Sequence, residues 1–153
     1  MSNIAEAGDD ATPRPPEQYR LADVSITIRH QTSRGIPGGY QIALHGDGTA
    51  YLQNTDANPV KTELHNSTAA IIELLNDFYR IHFFDLADTY AKKKQVLLRD
   101  DGLVATTVMK MADVDSKKLC VQLADYQKCV TIINNEPAEA SQLIAKIEKL
   151  FRH

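Results

Sequence analysis

A two-residue alternation of apolar and polar side chains recurs along this chain and is the strongest constraint on its fold. Between 24 and 30 it places Val24, Ile26 and Ile28 on one side of an extended segment. That period is typical of a strand with one buried face. Alternation, β-branched residues and flanking turns predict further strands at 40–45, 49–54, 60–64, 96–99, 104–111, 119–123 and 126–133.

Two of these strands are joined by an Asp47-Gly48 pair, which is a strong hairpin signal because both residues tolerate positive φ. We expect a two-residue loop at this point. That register would place Leu44 opposite Tyr51, with two large apolar groups on one face of the sheet.

Two segments have helical periodicity instead. One covers about 67–80, and the other begins near Pro137, which a first helical turn tolerates. The order is strands, helix, strands, helix. It predicts an α+β fold with an antiparallel sheet of about six to seven strands and two helices on one face.

Composition limits the domain organisation and the classes of partner. Residues 1–18 are rich in Pro, Asp and Glu, so we expect a disordered leader followed by a single domain at 19–153. The formal net charge is -3, which argues against nucleic acid as a partner. The lysine run at 92–94 is expected to form a solvated loop.

No apolar stretch is long enough to span a membrane, and no export signal is present, so we expect a cytoplasmic protein or an exported one whose signal has been removed.

Several turns and apolar clusters follow one another along the chain: Gly39-Tyr40, Gly-Asp-Gly-Thr at 46–49 before Tyr51, Phe-Phe-Asp-Leu at 83–86, Asp-Thr-Tyr at 88–90, Asp-Asp-Gly at 100–102 and the helix near Pro137. In this order they resemble a family of small bacterial domains without an assigned activity, often found in exported or lipid-anchored proteins. The resemblance covers about 22–152 and implies the fold rather than a reaction. The loop before Gly39 lacks the cysteine expected in many members.

The two cysteines can face each other in the last predicted hairpin. If Ala124-Asp125 is its loop, Cys120 lies opposite Cys129 in a non-hydrogen-bonded pair, within reach of a disulfide. The alternative is a pair of reduced, buried cysteines that act as small apolar residues. Ala-Asp is a poor two-residue turn, which favours the reduced alternative.

No catalytic or metal-binding motif stands out. The histidines lack metal-ligand spacing, although His30 and His45 could approach each other if their strands pair. We expect no cofactor and no metal. The first hypothesis is a non-catalytic binding or interaction module that takes a protein partner or a second copy of itself. The alternative is an enzyme or small-ligand binder whose site is built from loops, with Tyr40, His45, Asp47, Tyr51, Asp88 and Tyr90 as candidate residues.

Overall fold

The chain forms eight strands and two helices in a computed structural model, which describes residues 14–56, 58–89, 92–110 and 115–152. The strands are β1 (Val24–Gln31), β2 (Tyr40–His45), β3 (Thr49–Asn54), β4 (Lys61–His65), β5 (Lys92–Leu98), β6 (Val104–Lys110), β7 (Ser116–Leu123) and β8 (Tyr126–Ile132). The helices are α1 (Thr68–Arg80) and α2 (Ala138–Lys149). Residues 14–18 form neither helix nor strand, and the rest of the predicted leader lies outside the described residues.

Six of the strands form one antiparallel sheet in the order β4-β3-β2-β1-β7-β8, and β5 and β6 form a separate two-stranded sheet. β1 therefore pairs with β2 on one side and with β7 on the other, which brings the two halves of the chain together. The predicted α+β class, with an antiparallel sheet and two helices, is confirmed.

The core lies between this sheet and the two helices. Val24, Ile26 and Ile28 of β1 are buried on the helix side, as their alternation predicts. Ser67 caps α1, because its hydroxyl accepts a hydrogen bond from the Ala70 N–H at 3.1 Å. Each fully buried aliphatic or aromatic side chain contributes about 1.5 to 3 kcal/mol. The helix residues in the core are Ile71, Leu74, Leu75 and Phe78 of α1 with Ala140, Leu143, Ile144 and Ile147 of α2.

The β2–β3 hairpin has a three-residue loop, so the predicted pairing of Leu44 with Tyr51 is wrong. Leu44 instead pairs with Ala50, and Tyr51 pairs with Ala43. The loop takes in Gly46 as well as Asp47 and Gly48, and this additional residue shifts the register by one. A shift of one residue moves a side chain to the other face of the sheet. Tyr51 therefore lies on the face opposite the helices.

The predicted lysine loop is also wrong, because Lys92, Lys93 and Lys94 lie in β5 and pair with the end of β6. Backbone hydrogen bonds extend the ladder beyond the apolar residues, and lysine is common in strands at a sheet edge. We call residues 92–110 the β5–β6 arm. Its tip is a tight turn in which Gly102 takes φ +85 and the Arg99 N–H donates to the Leu103 carbonyl at 2.8 Å.

The last hairpin has the register that its Ala124-Asp125 loop predicts. Leu123 pairs with Tyr126, and Ala124 takes φ +59, as the first central residue of a type II′ turn does. The chain then turns through two asparagines with positive φ before α2. Pro137 occupies the N-cap position of α2, one residue before the predicted place.

Candidate functional site

The candidate residues from the sequence are spread over the sheet. Tyr40 begins β2 and His45 ends it, so they are separated by about 16 Å of extended chain. His30 pairs with Tyr40 and His45 pairs with Ser25, so the two histidines also lie at opposite ends of their strands. Neither pair can contribute to one small site.

Asp47 organises its own turn. Its carboxylate accepts hydrogen bonds from the Thr49 N–H at 2.9 Å and from the Thr49 hydroxyl at 2.7 Å. These bonds hold the pKa of the Asp47 carboxyl below its usual value, and the nearby His45 and His65 add to the effect. The role of Asp47 is therefore to stabilise its own turn.

Asp88 lies at the other edge of the sheet, beside β8. Its carboxylate is 2.9 Å from the Lys128 ammonium, which lowers the pKa of Asp88. Lys128 also donates to the Leu86 carbonyl at 2.6 Å, so this contact fixes the segment before β5 against the sheet. Tyr90 lies outside the described residues.

The disulfide joins β7 to the edge strand β8. Cys120 and Cys129 are directly opposite each other, with Cα atoms 4.1 Å apart, and the structure has the bonded form of the two alternatives. Register continues this row through Thr27 and Ala43 to Tyr51 on the open face of the sheet. The Cys120–Cys129 bond therefore lies on the open face of the sheet, in the same row as polar and small side chains.

A cavity of about 220 Å³ lies where β1, β7 and β8 meet the first turn of α2. His30 pairs with Lys117, and Lys117 pairs with Ile132, so these three form one row on the helix side of the sheet. The ring of Tyr40 packs edge-on against the His30 imidazole, with centroids 5.0 Å apart. Of the residues predicted from the sequence, Tyr40 is thus next to this cavity.

The rest of the cavity wall is polar. Asp115 accepts from the Ser33 N–H at 2.8 Å and from the Ser33 hydroxyl at 3.1 Å, which ties the glycine-rich loop to this end of the sheet. Asn135 accepts from the Ser141 hydroxyl at 3.1 Å. The residues that line the cavity are His30, Asp115, Ser116, Lys117, Ile132, Asn134, Asn135 and Ser141.

Burial and hydrogen bonds set the charges of the groups around the cavity. Burial lowers the pKa of His30, and the nearby Lys117 adds to this, while Asp115 opposes it; the imidazole is therefore neutral at pH 7. Hydrogen bonds from Ser33 lower the pKa of Asp115, so that carboxylate is ionised. The Lys117 ammonium is 3.0 Å from the Glu148 carboxylate, which holds it in place.

Nothing in the sequence motifs points to His30 or Lys117. The sequence does show that each of them continues the alternation of buried residues in its strand. His30 and Lys117 therefore lie on the helix side of the sheet, where the neighbouring side chains of the same strand are apolar and buried. A polar group in such a position needs a partner.

The β5–β6 arm carries the other unusual surface. Val96, Leu98 and Val104 lie on one face of the ribbon, because Leu98 pairs with Val104 and Val96 is two residues before Leu98. They are 66%, 75% and 66% exposed. Leu97 on the opposite face and Leu103 in the turn are exposed as well. Exposed apolar patches of this kind mark interaction surfaces.

Within the described ranges, no group of three or more His, Cys, Asp or Glu could hold a metal ion. None of the described helices is both long and apolar enough to cross a membrane. No protein-family model and no curated protein sequence matches the chain. The resemblance to the bacterial domain family therefore stays a prediction.

Proposed function

We propose that this protein is a non-catalytic interaction module that associates with a second copy of itself through the β5–β6 arm. The observation that supports this most directly is the apolar face of Val96, Leu98 and Val104, each at least 66% exposed. Isolated two-stranded ribbons are marginal in water, so a ribbon with an apolar face gains stability when that face is covered.

The size of the patch matches a reversible dimer. Three side chains that are about two thirds exposed would each contribute about 1 to 2 kcal/mol on burial. Two copies would then supply about 6 to 12 kcal/mol, which is similar to the 4 to 15 kcal/mol that association costs. Because the two terms nearly cancel, we expect a weak dimer that forms only at high protein concentration and dissociates on dilution.

A two-fold arrangement suits the charges of the arm. Its tip carries Arg99, Asp100 and Asp101, with Arg99 and Asp101 3.1 Å apart, while the sequence at its base contains the lysines at 92–94. Packing two arms face to face in opposite directions brings the tip of one copy, with Asp100 and Asp101, towards the strand ends of the other, where the sequence is rich in lysine. Closed two-fold contacts between identical patches are the commonest form of self-association.

Sedimentation velocity over a concentration series tests this proposal with matched variants. Val104→Thr should weaken the dimer roughly tenfold or more, since each dimer loses two apolar contacts. Val60→Thr is the control, because Val60 is also 66% exposed but lies just before β4, outside the arm. A monomer at every concentration, or equal weakening by both variants, would refute the proposal.

We also infer that the protein works in an oxidising compartment, which favours the exported alternative. The support is the Cys120–Cys129 bond, because structural disulfides persist outside the reducing cytosol. The resemblance to exported bacterial domains implies the same location. Thiol trapping during cell fractionation tests this: recovery of the chain in the cytosolic fraction with both thiols free would contradict it.

A further inference from the structure

We propose that the cavity between the His30–Lys117 row and the first turn of α2 binds a small zwitterion, with the size and charge pattern of an α-amino acid. This proposal does not depend on the β5–β6 arm. It rests on three features of the cavity: two opposite charges, an unpartnered buried nitrogen and a small volume.

The two charges lie on the same short stretch of chain. Asp115 and Lys117 are two residues apart, so extended backbone places their Cα atoms about 6.7 Å from each other. Asp115 is held by Ser33 through one carboxylate oxygen, Oδ1. Lys117 gives one hydrogen bond to Glu148 and has two more N–H groups to donate. An ammonium and a carboxylate on one ligand can satisfy both.

His30 supplies the third feature. Its Nδ1 is buried and has no hydrogen-bond partner in the part of the chain that the structure describes. Because buried polar atoms are nearly always paired, a ligand or ordered water is expected there. A neutral imidazole offers one donor and one acceptor, so it suits a polar group without adding charge.

The volume sets the size of the ligand. At roughly 30 Å³ for each water-sized group, about 220 Å³ holds about seven such groups. A small amino acid such as serine has that many non-hydrogen atoms. The amides of Asn134 and Asn135 and the Ser141 hydroxyl line the same space and can bind its polar side chain.

The test is a nitrogen-15 NMR titration of the full chain with each of the common α-amino acids, with acetate and methylammonium as the two separate halves. At least one small polar amino acid should shift the His30 ring and Ser141 amide signals saturably. Acetate and methylammonium should each bind at least tenfold more weakly. No saturable shift with any amino acid, or equal binding of acetate, would overturn the proposal.

Substitutions locate the binding site. Lys117→Met and Asp115→Asn should each weaken binding at least tenfold, measured by calorimetry. Lys118→Met is the matched control, because Lys118 is the next residue of β7 and points to the opposite face. His30→Gln gives a further variant if Lys117→Met fails to fold, and it should also lose binding. Unchanged affinity in the folded Asp115→Asn variant, or an equal loss in Lys118→Met, would refute the assignment.

Discussion

Replacing Asp77 by asparagine should destabilise the protein, because this carboxylate joins the two helices. Its side chain is only 6% exposed. It accepts hydrogen bonds from Arg80 of its own helix and from Lys146 of α2, the latter at 2.7 Å. An asparagine would turn its NH₂ group towards one of these two donors and would lose the negative charge.

The magnitude follows from the exposure of the partners. Hydrogen bonds to a charged group contribute about 1.5 to 3 kcal/mol, and breaking a fully buried pair costs about 3 to 5 kcal/mol. Lys146 and Arg80 are 44% and 67% exposed, so water solvates them when the carboxylate is gone. We therefore expect Asp77→Asn to lower the free energy of unfolding by about 1 to 2 kcal/mol at pH 7.

The loss should depend on pH in a defined direction. Burial by itself raises the pKa of Asp77, but the hydrogen bonds and charges of Lys146 and Arg80 outweigh it and hold the pKa below 3.8. A carboxyl with a lowered pKa stabilises the fold above its unfolded pKa, and that stability disappears as pH falls through the folded value. Wild type and variant should thus differ most at pH 7 and by less at pH 3, on the acid side of the ordinary pKa of 3.8.

Urea denaturation at both pH values measures this effect, with Glu73→Gln as the matched control. Glu73 is also on α1 and its carboxylate is 2.6 Å from the same Lys146 ammonium, but its side chain is 63% exposed. Its substitution should leave the unfolding midpoint within error, as is usual for exposed pairs. Equal losses in the two variants, or a difference for Asp77→Asn that is as large at pH 3 as at pH 7, would refute the reasoning.

Three further predictions concern the open face and the turns. Intact mass spectrometry should find no free thiol before reduction, and a Cys120→Ala, Cys129→Ala double variant should lose about 2 to 3 kcal/mol of stability, since the bond closes a loop of sequence separation 9. Gly48→Ala should lower the melting temperature more than Gly35→Ala; both have positive φ, but only at Gly48 would the new Cβ meet other atoms. Tyr51→Ala should cost less than the 3 to 5 kcal/mol of a core aromatic truncation, because the ring lies outside the core; urea titration checks this difference.

The elements of the fold could be predicted because their signals are local. β2 and β3 begin and end where the alternation predicts, and α1 begins one residue after the predicted start. The register of strand pairing is harder to predict from the sequence, because it depends on the number of residues in each loop. The loop at Ala124-Asp125 has the two residues that the sequence predicts. The loop between β2 and β3 has three, at 46–48, and the additional residue turns Tyr51 to the face of the sheet opposite the helices.

The cavity could not be predicted because its parts are distant in sequence. His30 and Lys117 meet only through the pairing of β1 with β7, and the local pattern of neither strand specifies that neighbour. The candidate residues from the sequence all lie near predicted loop edges. Loop edges occur at both ends of every strand, so this criterion groups Tyr40 with His45 although the length of β2 separates them.

The described apolar side chains of the β5–β6 arm lie outside the core. The apolar sides of α1, α2 and the large sheet already cover each other, and none of the described arm side chains belongs to that buried cluster. Val104 lies at the tip end of β6, about 20 Å along the strand from Lys110, and no described residue of the arm is among those that line the cavity. Self-association at the tip and ligand binding in the cavity should therefore be separable. Val104→Thr should weaken the dimer and leave amino-acid affinity within twofold, while Asp115→Asn should do the reverse; sedimentation and calorimetry on the same samples measure both. A loss of both properties in either variant would show that the two surfaces are coupled.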